Sequence, residues 1–569
     1  MQQKPRRGTL PALIGIALLL MAAIAAPFFA RRAAADEPRY FAIKNAKVVP
    51  VSGPPVEGAN IIIVKGLIAA VGKDAAIPPE AWVIDGTGLT VYPGLVDALT
   101  DVGLAQEAPA GEPTGGRGRG RAGAGPSPET LSKGPQDRPA STPWIDAADE
   151  VKADDKKIES WRTGGFTTAL AAPKAGLFPG QGAVIDLAGA RPGDLVVKPA
   201  TTEQVTLNAP GGFFGYPGSL MGAISYIRQV FLDADQDAQA LRIYGANPRG
   251  LERPDYDRVI RALEAASRNG EPVLIPANTA PQLLRGLWLA DKLKTRPFLY
   301  GAQQGYAVAD ALAAKKAVVL VNVKWPEKEK DADPEAEESL RTLRFRDRAP
   351  GTPAALAKAG VSFAFYDGGL AGPKDMLKNV KKSIDAGLSP DAALRALTLS
   401  AAEIYGVADR LGSIDAGKIA NFVVTDGDIF GDKTKIKFVF VDGRKFEIRE
   451  PEKPKELPKG DISGKWTVSF SMQGTPAQAT LDLSMASGGN VTGTITHPYG
   501  SSPVTSGYLS GNSFSLLINV DAGGGPMDVT FSGTLDGNNM KGNINAHGFA
   551  AEFTGSRPAG ASNAIGGGL

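Results

Sequence analysis

Tyr92-Pro93-Gly94-Leu95-Val96-Asp97-Ala98-Leu99-Thr100-Asp101-Val102-Gly103 is the stretch on which the reading of this chain turns. Proline and glycine open it and an apolar, strand-like pair follows. Aspartates then stand where the strand gives out, which places acidic side chains at a strand end. Similar apolar runs lie at 167–171, 273–275, 317–321 and 361–365, with helical stretches such as 256–268 and 391–402 among them. Continuous apolar strands alternating with helices predict an α/β fold whose parallel sheet is buried on both faces. The roughly 310 residues of 93–410 favour a TIM-like (β/α)8 barrel with insertions over an open sheet.

The flanks have a different texture. Residues 39–92 and 411–448 read as short β-branched strands separated by turns, such as Phe438-Val439-Phe440-Val441 before Asp442-Gly443. Residues 449–460, rich in Pro, Glu and Lys, read as a linker. From 461 to 558, strands alternate every 8–12 residues, with turns such as Gly489-Asn490 and Gly537-Asn538-Asn539. That pattern predicts a separate, small antiparallel β-barrel domain, followed by a flexible tail over 559–569. Within the barrel, 105–143 is a low-complexity loop insertion dominated by Gly, Pro and Arg, read as solvated. The glycine-rich run 211–218 lacks the Lys-Ser/Thr of a phosphate loop and reads as a loop over the barrel mouth.

Composition narrows the function. Sixty-two basic residues against 60 acidic ones leave a net charge of +2, and no basic patch is interleaved with aromatics, so nucleic acid is not an expected partner. The absence of cysteine excludes disulfides, zinc–thiolate sites and cysteine nucleophiles together. Lys4, Arg6 and Arg7 precede an uncharged run over 8–30, followed by Ala33-Ala34-Ala35. Residues 1–35 therefore read as an export signal, either cleaved near Ala35 or kept as an inner-membrane anchor over 10–30, with the rest of the chain extracytoplasmic or periplasmic.

The Pro93-Gly94-Leu95-Val96-Asp97 stretch resembles the first barrel strand of the amidohydrolase superfamily, in its imidazolonepropionase-like, exported branch. Two distant passages share the resemblance: Leu394-Arg395-Ala396-Leu397-Thr398, and Leu411-Gly412-Ser413-Ile414-Asp415-Ala416-Gly417-Lys418-Ile419-Ala420-Asn421 with its following strand. It covers about 39–450. The resemblance implies that 39–92 and 411–448 form one composite β-sandwich beside the barrel. It also implies hydrolysis of carbon–nitrogen bonds other than peptide bonds, by a hydroxide generated on a divalent metal.

The ligands that such a metal needs are missing. Leu99 and Asp101 stand where the resemblance places a His-x-His pair, and Pro276 and Asn278 occupy the end of a strand that carries a histidine in relatives. The chain has two histidines, His497 and His547, and both fall in the C-terminal β region. Asp367, in Phe363-Ala364-Phe365-Tyr366-Asp367-Gly368-Gly369, resembles the family's proton-shuttling aspartate, though an aspartate before two glycines also suits a turn.

Three readings follow. The first is a degenerate, non-catalytic member with no cofactor, which binds a small molecule or an active amidohydrolase homologue. The second is a hydrolase that uses Asp367 and Asp101, either as a carboxylate pair with no metal or with Mg²⁺, Mn²⁺ or Ca²⁺ on the oxygens of Asp97, Asp101, Asn278 and Asp367. The third is an envelope-binding protein acting through its C-terminal β domain.

Overall fold

The computed structural model describes residues 40–104, 138, 140–207, 217–328, 337–370, 372–448, 456–472, 475–486, 488–497, 500–521, 526–546 and 549–558. The export segment, nearly all of the 105–143 insertion, residues 211–216, 449–455, His547 and the tail 559–569 lie outside the described residues. The chain divides into two compact units, one ending at Ile448 and one beginning at Arg449. Among the described residues no helix is long and apolar enough to cross a membrane.

The first unit begins with β1 (Tyr40–Val48), β2 (Val56–Val64), β3 (Leu67–Gly72), β4 (Trp82–Asp85) and β5 (Thr90–Pro93). The central strands follow: β6 (Leu95–Thr100), β7 (Phe166–Ala171), β8 (Gln181–Asp186), β9 (Val196–Gln204), β10 (Val273–Ala277), β11 (Phe298–Gly301), β12 (Val318–Asn322) and β13 (Ser362–Tyr366). The unit ends with β14 (Phe422–Thr425), β15 (Ile436–Val441) and β16 (Arg444–Glu447).

The central strands hydrogen-bond side by side in chain order from β6 to β13, and β13 packs beside β6 to bring the sheet near closure. Its inner face holds Val96, Ala98, Leu99, Leu170, Leu274, Phe298 and Leu320 in one cluster. Its outer face buries Ile275, Val319, Phe365 and their neighbours against helices. The strands are apolar on both faces for that reason, and such runs are what made the sheet visible in the sequence.

One strand departs from the expected eightfold βα repeat. β8 runs antiparallel to both β7 and β9, whereas the other neighbouring pairs are parallel. The connection over 172–180 carries Pro173, Gly176 and Pro179 and contains no helix. A parallel crossover needs about a dozen residues or more, so this connection folds back as a hairpin instead. Helices do follow elsewhere. Asp257 caps Arg258–Asn269 by accepting from Ile260 N, and Gly270 ends that helix at φ 69°.

The flanking β pieces pair directly: β14 runs antiparallel to β5, giving a single eight-stranded sheet ordered β16-β15-β14-β5-β1-β2-β3, with β4 also on β1. Hydrogen bonding thus joins both pieces in one sheet. Ile43, Ile61, Ile63, Phe422 and Phe440 make its core.

The second unit is a closed antiparallel barrel of eight strands: β17 (Gly464–Met472), β18 (Thr475–Met485), β19 (Val491–His497), β20 (Gly500–Ser510), β21 (Ser513–Asp521), β22 (Pro526–Asp536), β23 (Asn539–Ala546) and β24 (Phe549–Ser556). Trp466, Leu481, Ile495, Phe531 and Phe553 fill its interior. Gly537 takes φ 58° in the two-residue turn between β22 and β23, a conformation that glycine adopts without strain.

A buried polar staple ties the central sheet to the composite one. Asp186 Oδ1, at the end of β8, accepts from Thr168 Oγ1 at 2.7 Å and from Asn421 Nδ2 at 2.9 Å. Asn421 in turn accepts from Asp442 N at 2.7 Å and, through its carbonyl, from Gly94 N at 2.9 Å. Burial pushes the Asp186 carboxyl up to about 7, against the two side-chain hydrogen bonds that favour its ionised form. The folded state therefore holds this proton more tightly than the unfolded chain does. Stability contributed by that proton falls as pH rises from about 4 towards 7, by about 1.4 kcal/mol per unit at most. Denaturant titrations across that window should show a shallower pH dependence for Asp186→Asn than for the parent, and identical slopes would refute the assignment.

Candidate functional site

The C-terminal ends of the central strands gather most of the residues singled out in the sequence. Asp97 lies within β6 and is 1% exposed. Its Oδ1 accepts from Asp367 N at 3.2 Å and from Leu99 N at 3.4 Å, while Oδ2 is buried without a hydrogen-bond partner. Asp367, just past β13 and 7% exposed, has its own carboxyl turned onto the Gly368 and Gly369 backbone amides. Gly368 adopts φ 62°, and a Cβ there would fall 2.0 Å from Asn322 Oδ1, so the tight turn needs glycine. The turn use of Asp367 is thus realised, and the same turn holds it against Asp97.

Burial, aided by the nearby charge of Asp367, holds the Asp97 carboxyl well above the usual carboxylate range. Asp367 is raised by burial too, although the Lys174 ammonium pulls the other way. Burial thus disfavours the ionised form of both carboxyls, and the charge of Asp367 adds to this at Asp97.

Asp101 behaves differently. It lies half-exposed beyond β6, with Lys157 Nζ at 2.9 Å and Lys174 Nζ at 3.2 Å. Partial burial pushes its carboxyl up, yet the Lys157 hydrogen bond and both lysine charges outweigh it, and the group sits below its ordinary value. Asp101 is an ionised carboxylate already bridged by two cations.

The remaining positions do other work. Leu99 is 5% exposed and packs into the inner apolar cluster. Pro276 is half-buried on β10, paired with Tyr300 on β11. Asn278 donates from Nδ2 to Gln303 Oε1 at 3.1 Å and accepts Gln303 N at 3.1 Å through Oδ1, so its amide locks two loops together. The structure therefore brings Asp97 and Asp367 into contact, keeps Asp101 close by through Lys174, and commits Asn278 to Gln303.

These residues do not suit a metal. One oxygen of Asp97 is taken by backbone amides, Asp101 by ammonium groups, and Leu99 offers no donor atom. Among the described residues no cluster of three or more His, Asp or Glu side chains is arranged to hold an ion. Lys174, Lys157, Lys324 and Tyr300 were not singled out in the sequence. Lys174 and Lys324 each follow closely on a central strand, the place where barrel folds put working side chains. That position was the available signal.

Residues 340–446 match the amidohydrolase family. The structure of an amidohydrolase from Thermotoga maritima MSB8 resembles this one with a TM-score of 0.58 and 25% identity, over 72% of this chain and 100% of that one. The first unit is amidohydrolase-like. Weaker likenesses include a prolidase complexed with N-methylphosphonate-L-proline (TM-score 0.43, 17% identity) and another amidohydrolase (TM-score 0.44, 18% identity), each over 72% of this chain and 100% of the other. No curated protein matches the sequence.

Two substitutions probe this site. Leu99→Ala should cost about 2–4 kcal/mol in urea unfolding, as for other buried leucines, and a loss below about 1 kcal/mol would show that the position is not core. Asp97→Asn keeps an acceptor for the Leu99 and Asp367 amides but cannot ionise. Because the raised carboxyl costs stability as pH rises, the stability of Asp97→Asn relative to the parent should improve between pH 5 and pH 8. A relative stability that worsens over that range would contradict a proton-retaining Asp97.

Proposed function

We propose that this protein is an exported, amidohydrolase-related binding protein whose barrel no longer generates a metal-bound hydroxide, and which acts on a small-molecule ligand or an active amidohydrolase homologue without hydrolysing a carbon–nitrogen bond. The observation that carries this reading is the fate of the two positions at the end of β6. Leu99 is buried among apolar side chains, and Asp101 is neutralised by Lys157 and Lys174. A histidine pair placed there would hold a metal. An apolar plug and a salt-bridged carboxylate instead stabilise the strand end. Histidine cannot enter from elsewhere in the first unit, since His497 lies on β19 and His547 also falls beyond Arg449.

A second reading is favoured by one observation, the contact between Asp97 and Asp367. Neighbouring carboxyls with raised proton affinity can divide into acid and base, as metal-free hydrolysis requires. Against it, Asp97 is nearly inaccessible and the Asp367 carboxyl is engaged by its own turn.

Full-length protein purified without chelator and then loaded with Zn²⁺, Mn²⁺ or Mg²⁺ should carry well under one equivalent of metal per chain after desalting. It should also leave N-acyl amino acids, dipeptides and cyclic amides intact. Stoichiometric metal that is lost in Asp101→Ala would defeat the proposal. So would turnover that disappears in Asp367→Asn, and that outcome would establish the carboxylate-pair reading in its place.

A further inference from the structure

The polar groups at the strand ends are sorted by accessibility. The two carboxyls with raised affinity for protons, Asp97 and Asp367, are 1% and 7% exposed. The carboxylate that solvent does reach, Asp101, is covered by Lys157 and Lys174. What remains for an incoming molecule is a set of donors. Lys174 is 56% exposed along its side chain, and its charge is felt by Asp97, Asp101 and Asp367 alike. Lys324, exposed just beyond β12, directs Nζ to the Gly369 carbonyl at 3.2 Å, two residues from Asp367. Lys324 thus touches the turn after Asp367, while Lys174 pairs with Asp101 and acts on the Asp367 carboxyl through its charge.

Tyr300 supplies the third donor. It is half-buried on β11, packs edge-on against Tyr366 with ring centroids 6.3 Å apart, and pairs with Pro276 across to β10. Among the described residues nothing accepts from its hydroxyl, and burial pushes that phenol up to about 12, so it stays protonated. Tyr300 and Pro276 also give the mouth an apolar wall beside its cations.

Building on the reading of this site as a binding site, we infer that the barrel mouth takes a small carboxylate with an apolar body, its charge between Lys174 and Lys324 and its body against Tyr300 and Pro276. A monoanion fits better than a dianion, because Lys174 already shares its charge with Asp101. The carboxylate accepts from ammonium groups and from the phenol, while Asp97 and Asp367 are buried and Asp101 is paired with Lys157 and Lys174. Charge-assisted bonds of this kind are the stronger class of hydrogen bond, and a neutral amide of the same shape would forgo them.

Isothermal titration of the full chain with phenylacetate, phenylacetamide and inorganic phosphate tests the inference. Phenylacetate has no bond that hydrolysis could break, so it reports binding whether or not the chain proves to be a hydrolase. Failure here is thereby distinguished from failure of the non-catalytic reading. We expect phenylacetate to bind at least about tenfold more tightly than either comparison compound, and Lys174→Met with Lys324→Met to weaken it about tenfold. Both lysines are exposed, so the variant should fold, which circular dichroism verifies. Tyr300→Phe should weaken phenylacetate by a smaller factor while leaving phenylacetamide unchanged. The inference is overturned by absence of phenylacetate binding, by equal affinity for the amide, by tighter binding of phosphate, or by undiminished affinity in the double lysine variant.

Discussion

The hydrogen bond from Asp367 N to Asp97 Oδ1 spans the one place where the central sheet has no ladder. Strands β6 to β13 pair in sequence, but β13 and β6 are not joined by regular backbone pairing. Main-chain groups in and just before β6 are satisfied by other means: Gly94 N by the Asn421 carbonyl, Val96 N by the Leu397 carbonyl, and the Ala98 carbonyl by the Tyr405 hydroxyl. Buried main-chain donors and acceptors must find partners somewhere. Here a carboxylate, a phenol and two loop carbonyls replace a strand edge. Asp97 thus has a structural task that requires only its acceptor oxygen, and that task survives protonation.

The same geometry accounts for the electrostatics around it. Desolvation penalises the charged form of a buried carboxyl, and a second carboxyl nearby penalises it further. One Asp97 oxygen is used and the other is buried without a partner, so ionisation would leave a poorly solvated charge. Asp101, four residues along, escapes this because it reaches two ammonium groups at the surface. Aspartates separated by a single turn of sequence therefore end in opposite protonation preferences. Their surroundings decide this, not their residue type.

The sequence revealed the central strands because burial on both faces demands uninterrupted apolar runs, as at Leu274-Ile275 and Phe363-Ala364-Phe365. It did not reveal β8. Gln181-Gly182-Ala183-Val184-Ile185-Asp186 carries a comparable apolar centre, but its direction is set by the short, proline-bearing connection before it, and local pattern does not encode direction. The long helix Leu220–Ala246 was also missed. Its buried face, from Ala223 through Tyr226 and Ile227 to Val230 and Ala234, is narrow, and much of its remaining surface is mixed. At the site, the lack of donor atoms at Leu99 and Pro276 was readable, because a missing donor atom needs no geometry to recognise. The pairing of Asn278 with Gln303 and of Asp101 with two lysines required three-dimensional placement, since the partners lie 25, 56 and 73 residues away.

A barrel can lose its imidazoles and remain a barrel because the two properties rest on different atoms. The fold is held by the inner and outer apolar clusters and by the ladders between strands, to which a metal-binding side chain at a strand end contributes little. Such positions are under strain in an active enzyme, where polar groups are held close together for chemistry. Leu99 extends the inner cluster by a side chain that touches its apolar neighbours, and Lys157 and Lys174 compensate the charge of the half-exposed Asp101. What they leave uncovered is the exposed lysines, the phenol of Tyr300, which has no acceptor among the described residues, and the edge of Pro276. A strand end whose acids are buried or paired and whose lysines are exposed presents cations, not acids, to solvent.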